Sequence, residues 1–211
     1  MVRALWGWFK KVVGLSTGGS LTEKTRRLKG IYRSLDKETA AFKIASGLCC
    51  VNPCGQCCIN STVEATELEM LPMAAELIRS GAAEQAYQQA EDRHFEGRCV
   101  VYSSGDLYGK CLSYEQRPLV CRLFGFAGNR DKHGRPRLVT CGLIKHSQPQ
   151  QVELVLGKVA QGGLNAPMMN DWVMRLSAVD PQMARESFPI NTALKKALER
   201  IWLNRKYNQS N

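Results

Sequence analysis

Four cysteines fall within nine residues, Cys50-Val51-Asn52-Pro53-Cys54-Gly55-Gln56-Cys57-Cys58, and Cys49 stands immediately before them. Cys99, Cys111, Cys121 and Cys141 follow, which brings the total to nine. Thiols at this density either oxidise in pairs or bind a soft metal ion, because a cysteine used only as a small core hydrophobe has no reason to cluster. The count is odd, and the adjacent pairs Cys49-Cys50 and Cys57-Cys58 do not easily close within disulfide geometry, so free thiolates are the better reading. Cys54-x2-Cys57 lets two sulfurs reach one ion around a tight turn, a step common to zinc and iron–sulfur sites. Cys50-x3-Cys54-x2-Cys57 adds a third thiolate and suits three corners of a [4Fe–4S] cube.

Cys57 and Cys58 are neighbours, and in extended chain successive side chains point apart. One ion is therefore not expected to take both, whereas a polynuclear centre or two nearby centres would. Cys50, Cys54, Cys57, Cys58, Cys99, Cys111, Cys121 and Cys141 are the candidate metal ligands, with Cys49 spare. His94, His133 and His146 are isolated; His146 could replace a thiol but reads as a surface imidazole. Arg117 and Arg122 bracket the turn at Cys121, where a guanidinium offsets thiolate charge and donates to sulfur from just outside the ligands. The alternative for them is a structural ion pair with Glu115 or Asp106. No Ser/His/Asp arrangement or paired-carboxylate pattern supports hydrolysis.

The elements that must position these thiols read as mainly helical. Ser20-Leu21-Thr22-Glu23 has the capping-box pattern and predicts a helix towards Leu35, with Leu28, Ile31 and Leu35 on one face. Asp36 caps a further helix over 38–45 that delivers the chain to the cysteines. Thr66-Glu67-Leu68-Glu69 opens another helix to about Arg79, with Pro72 expected to bend or split it. Residues 82–93 read as a helix, 99–102 as a short strand, 103–106 as a turn, and Pro118 as the first turn of a short helix carrying Cys121. Asp131-Lys132-His133-Gly134 turns a hairpin whose return strand, 137–140, leads to Cys141. Helices follow at about 150–160, 167–178 and 192–206, the last capped by Asn191. The fold class expected is mainly α, with a small irregular α+β subregion around a cysteine metal centre. Its parts are a basic amphipathic helix and linker over 1–19, the cysteine-cluster domain over 20–147, and a helical extension over 148–211 packed on it.

Beyond the opening run, the chain has Cys99, and then Cys111-Leu112-Ser113-Tyr114-Glu115-Gln116-Arg117-Pro118-Leu119-Val120-Cys121-Arg122-Leu123-Phe124. The ordered set of CxxxCxxCC, a later Cys, Cys-x-x-Tyr, Arg-Pro and Cys-Arg-x-Phe resembles the CxxxCxxCC family, the YkgJ-like cysteine-cluster proteins named as zinc- or iron-chelating domains. The resemblance runs from about Cys50 to Phe126, with Cys141 a plausible trailing ligand. It implies a bound metal, either an iron–sulfur cluster, which the x3-x2 spacing favours, or zinc. Some members are similar to flagellin-lysine N-methylases, which would imply an iron–sulfur-dependent protein-modifying enzyme. Against that role, no Gly-rich fingerprint for S-adenosylmethionine follows a strand here; Gly18-Gly19 and Gly162-Gly163 read as linkers.

The formal net charge of +10 gathers at the ends. Residues 1–35 hold eight basic residues against Glu23 alone, and the stretch from Ala193 to Tyr207 holds Lys195, Lys196, Arg200, Arg205 and Lys206 against Glu199. The first thirteen residues set Trp6, Trp8 and Phe9 beside Arg3, Lys10 and Lys11, an amphipathic helix fitted to a protein partner or an anionic membrane surface. Nucleic acid is compatible with the charge, but no motif supports it. With no leader pattern and no long apolar run, the expected location is cytoplasmic, with peripheral membrane contact as the alternative.

Overall fold

The computed structural model describes residues 19–50, 54–92, 97–105 and 107–209, with residues 208 and 209 as backbone only. The helix expected over residues 1–13, His94 and Asp106 lie outside the described residues. The first element among the described residues is helix α1, Leu21–Ser46. Ser20 caps it by accepting the Glu23 N–H at 3.2 Å, and Gly47 closes it at φ 68°, a left-handed conformation that glycine adopts without a Cβ penalty. Leu28, Tyr32, Leu35, Thr39, Phe42 and Ser46 are buried at alternating four- and three-residue intervals, one continuous helical face. The break expected at Asp36 is therefore corrected. No Gly or Pro interrupts residues 35–46, and the Asp36 carboxylate binds the Arg122 guanidinium instead of capping a new helix.

Helix α2, Glu67–Arg79, begins at the expected capping box: Thr66 Oγ1 accepts the Glu69 N–H at 3.1 Å, and Glu69 accepts the Thr66 N–H at 2.7 Å. Pro72 sits inside this helix without splitting it. Residues 68–74 are all buried, and tertiary packing on every side outweighs the one hydrogen bond that proline removes. Helix α3 spans Ala83–Glu91. The longest C-terminal helix, α8, Ile190–Gln209, lies against α2 and α3. Its Leu194 and Leu198 are wholly buried, each contributing about 1.5–3 kcal/mol relative to exposure. Lys195 pairs with Glu91 and Arg200 with Glu67, so part of the charge of this helix is spent internally.

Between these helices lie short elements. Strand β1, Glu64–Thr66, pairs antiparallel with β6, Ser187–Pro189, setting Ala65 opposite Phe188. That pairing ties the starts of α2 and α8 together and left no readable alternation in three residues. Strands β2, Tyr102–Ser103, and β3, Lys110–Cys111, form a minimal ribbon. Helix α4 is Leu119–Leu123; the hairpin of β4, Ala127–Arg130, and β5, Pro136–Val139, follows as expected. Helices α5, Gly142–Ser147, α6, Pro149–Ala160, and α7, Met169–Ser177, complete the chain before β6.

Two apolar clusters result. The larger unites α1, α2, α3, α4, α7 and α8 and includes Cys58, Cys99 and Cys121. The smaller, with Phe42, Leu48, Phe126, Leu138, Ile144 and Val155, lies under the second hairpin and α6, and Cys141 packs against it. The molecule is thus mainly α with a small α+β subregion around the cysteines. Among the described residues, no helix is long and apolar enough to cross a membrane.

Candidate metal centre

Gly55 is the pivot of the first cysteine loop. Its N–H donates to Tyr108 O at 3.0 Å, and a Cβ built on it would lie 2.6 Å from the Tyr102 ring, so only glycine lets the loop approach the β2–β3 ribbon this closely. A single 3-10 turn, Gln56–Ile59, follows, with the Cys58 N–H on Gly55 O at 2.8 Å. Within this turn the thiols of Cys57 and Cys58 touch each other. The expectation that these neighbours point apart presumed extended chain and is corrected by the helical turn.

Three further segments bring their thiols to this pair. Cys99 donates its N–H to Cys58 O at 2.6 Å. Asn191 straddles that position, accepting the Val100 N–H at 3.0 Å and donating to Arg98 O at 2.8 Å. Asn191 therefore holds the Cys99 loop instead of capping α8, which starts one residue earlier at Ile190. Cys111 stands opposite Tyr102 in the ribbon, and Cys121 lies in α4. The Cys58 thiol meets those of Cys111, Cys57 and Cys99, and the Cys57 thiol meets that of Cys121.

Cys50, Cys54 and Cys141 form a second, outward group. The Cys50 and Cys54 thiols are hydrogen-bonded, and Cys141 lies near enough to act on Cys50 electrostatically. With Cys49 they line a cleft of about 550 Å³, whose wall also includes Cys57, Cys121, Lys43, Tyr114 and Arg117. Cys49 is exposed, its backbone gripped by the Gln148 amide, which donates to Cys49 O at 2.7 Å and accepts its N–H at 3.2 Å. His133 and His146 are exposed and do not line the cleft.

The two arginines separate. Arg117 stacks on the Tyr114 ring, with its guanidinium carbon 3.5 Å from the centroid, and donates to Tyr114 O at 2.9 Å and Cys121 O at 3.3 Å. Its charge favours the thiolate forms of Cys57, Cys111 and Cys121. Arg122 is buried, and its hydrogen bonds run to Arg117 O at 2.8 Å, to Glu115 O and to Asp36. Asp36 thus takes the place that Glu115 or Asp106 was expected to fill, and Arg122 ties α1 to the loop between Cys111 and Cys121.

Protonation alternates along the thiol chain. Cys57 is brought down to about 3 by thiol hydrogen bonds from Cys121 and Cys58, with Arg117 adding to the effect. Cys58 and Cys121 are pushed up by those same contacts, and Cys111 is lowered by the hydrogen bond with Cys58. Although Cys50 is exposed as a residue, burial of its thiol end and the neighbouring Cys54 push it up to about 11.

All nine thiols are free. Among the described residues, no group of three or more His, Cys, Asp or Glu side chains stands ready-made to hold a metal ion; the thiols meet pairwise. The donor chemistry nevertheless fits a thiophilic metal, since it is sulfur throughout, with one thiolate already favoured and a guanidinium alongside. Zinc would supply a crosslink between segments there, and an iron–sulfur cluster would add electron transfer. Sequence reasoning missed the supporting residues Gly55, Tyr102, Asn191 and Lys43, because each serves a segment distant in the chain.

The fold and the gathered thiols define a small, mainly helical protein built around a cysteine-rich chelating domain. Residues 49–142 match the family CxxCxxCC, described as "Putative zinc- or iron-chelating domain". All nine cysteines lie in the matched segment, and its last residue, Gly142, follows Cys141 directly. This segment is thus of the kind that the cysteine order resembles, which supports metal binding. No curated protein and no solved structure matches the chain.

Proposed function

We propose that this protein binds an iron–sulfur cluster, in preference to zinc, through its gathered cysteines, and that the cluster serves as an electron-carrying or structural centre. The observation that carries this reading is a chain of pairwise thiol contacts that links five free cysteines, Cys57, Cys58, Cys99, Cys111 and Cys121, from four separate segments. A single tetrahedral zinc takes four ligands, whereas a cluster offers several metal corners and can use adjacent thiols such as Cys57 and Cys58. The residues' own part is to bring the sulfurs together: the Gly55 turn aims two, Asn191 fixes the segment of a third, the ribbon places a fourth, and α4 places the fifth. Arg117 offsets their charge.

The test is iron, zinc and acid-labile sulfide analysis of protein purified anaerobically. Iron and sulfide in near-equal amounts, with a broad absorption near ~400 nm, are the expected result. Zinc without sulfide overturns the cluster and leaves metal binding standing; thiols without any metal overturn both.

A further inference from the structure

A further cavity, of about 320 Å³, lies between the second half of α1 and residues 114–126. It adjoins the thiol cleft, since Cys50, Lys43 and Tyr114 line both. Thr39 lines it from α1; the residue is only 7 % exposed, and its hydroxyl has no hydrogen-bond partner among the described residues. Thr25 of the same helix shows the ordinary arrangement, donating to Leu21 O one turn back at 2.7 Å. A buried hydroxyl left unpaired costs stability, and valine has almost the same shape, so packing alone does not explain threonine at this position. Lys43, one turn further along α1, sets its ammonium 4.4 Å from the Phe126 centroid and joins no ion pair among the described residues. The other charges around the cavity are engaged or turned to solvent. Arg117 bonds backbone carbonyls, Arg122 and Asp36 bond each other, and Glu115 is exposed. Tyr114, Phe124 and Phe126 complete the wall.

We infer that this cavity binds a small organic carboxylate with a flat apolar body, its oxygens held by the Lys43 ammonium and the Thr39 hydroxyl and its body covered by Tyr114, Phe124 and Phe126. Aromatic walls with a few convergent polar groups are the ordinary make-up of a small-molecule site, and the volume suits a small ligand. Residues 39 and 43 are neighbours on one helix face, so their donors can meet the two oxygens of one carboxylate. Threonine keeps two side-chain rotamers in a helix, which lets the hydroxyl turn to a bound oxygen without a backbone shift. The same inventory disfavours phosphate: one free ammonium and one hydroxyl cannot satisfy a dianion with several oxygens, and the rings would stay uncovered. No thiol takes part, so this site does not rest on the metal-binding reading above. A bound carboxylate would lie beside Cys50, at the edge of the cleft.

The test is equilibrium dialysis of the full chain as purified against labelled benzoate, with metal content measured in the same samples. Benzoate should bind with a Kd of about 1 mM or tighter, and neutral benzamide and inorganic phosphate at least ~10-fold more weakly. Lys43→Met should weaken benzoate binding by at least ~10-fold, and Lys43→Arg by less because the charge remains. Thr39→Val should weaken it by about 3–10-fold while its melting temperature without benzoate equals or exceeds that of the parent, since the unpaired hydroxyl is gone. A threonine present only for packing would not separate affinity from stability in this way. If Thr39→Val does not fold, the half-buried Lys43 and its two variants decide the matter. No binding of benzoate, equal binding of benzamide, tighter binding of phosphate, or full affinity in Lys43→Met overturns the site. Benzoate binding that rises and falls with metal content and ignores Lys43→Met places the carboxylate on the metal and overturns it too. A protein without metal that still binds benzoate through Lys43 refutes the function proposed above and leaves this site standing.

Discussion

Arg117 and Arg122 lie five residues apart, carry the same charge and have different tasks. The Arg122 guanidinium satisfies two backbone carbonyls and the Asp36 carboxylate while itself buried, so its loss leaves two partly buried carbonyls without their donor. Because Asp36 is partly exposed, the carbonyls dominate the cost, and Arg122→Ala should lower stability by about 2–4 kcal/mol in urea denaturation. Arg122→Lys should recover little of it, since one ammonium cannot reproduce the fork. Arg117→Ala should cost less than about 1 kcal/mol but shift acid-induced metal loss to higher pH, by up to about one unit. The direction follows from its effect on Cys57 and Cys111: without the guanidinium the thiols hold their protons to higher pH and compete better with the metal. Equal effects of the two alanine variants on both measurements would refute the separation of tasks.

Glu69 shows how an element reaches the site. Its carboxylate closes the capping box of α2 and also accepts from the backbone N–H groups of Leu119 and Val120, which open α4 and so fix where Cys121 sits. Tyr32 of α1 adds a third tie by donating to Glu69 O at 2.9 Å. Burial raises the Glu69 carboxyl above its ordinary value of 4.5, outweighing the N–H groups that favour its charge. A carboxyl raised in the folded state is favoured there while protonated, so its contribution to stability falls as pH rises from 4.5 through the raised value. Denaturation of the parent and of Glu69→Gln across that window should show the parent losing stability relative to the variant as pH increases. A difference independent of pH would sink this account of Glu69. Glu69→Ala, which removes the carboxylate's half of the capping box and leaves the Thr66 hydroxyl on the N–H of residue 69, should cost about 1–2 kcal/mol.

For the whole molecule, the question is how far the fold depends on the centre. Helices α1, α2 and α8 bury Leu28, Leu35, Leu68, Leu71, Leu194 and Leu198 in one apolar cluster without any thiol among those side chains. The segments around Cys57, Cys99 and Cys111 have only two-residue strands and single turns to hold them. Metal binds the folded state in preference to the unfolded one and so stabilises it. Complete demetallation should therefore lower the melting temperature while far-UV circular dichroism keeps most of its helical signal. Hydrogen exchange should rise chiefly over residues 54–63 and 97–118. Loss of most helix on demetallation would show that the centre holds the entire fold, and unchanged exchange in those loops would show that it holds none of it.

The chain by itself determined the thiol inventory, the helix starts at Ser20 and Thr66, the second hairpin and the order of cysteines that resembles a chelating family. Each is written in local features: a capping residue and its partner three positions on, a turn tetrapeptide, or the spacing between thiols. Other features were decided only by residues that meet across long stretches of chain. Asp36 is a plausible cap in sequence, yet Arg122, eighty-six positions away, claims it and keeps α1 whole. Asn191 looks like the cap of the last helix, yet it grips the chain on both sides of Cys99. Which thiol of Cys50-x3-Cys54-x2-Cys57-Cys58 is buried depends on the 3-10 turn after Gly55, which carries Cys58 into the larger apolar cluster while Cys50, Cys54 and Cys57 line the cleft. Spacing bounds which sulfurs can share an ion, but the direction in which each one faces is set by the surfaces packed around it.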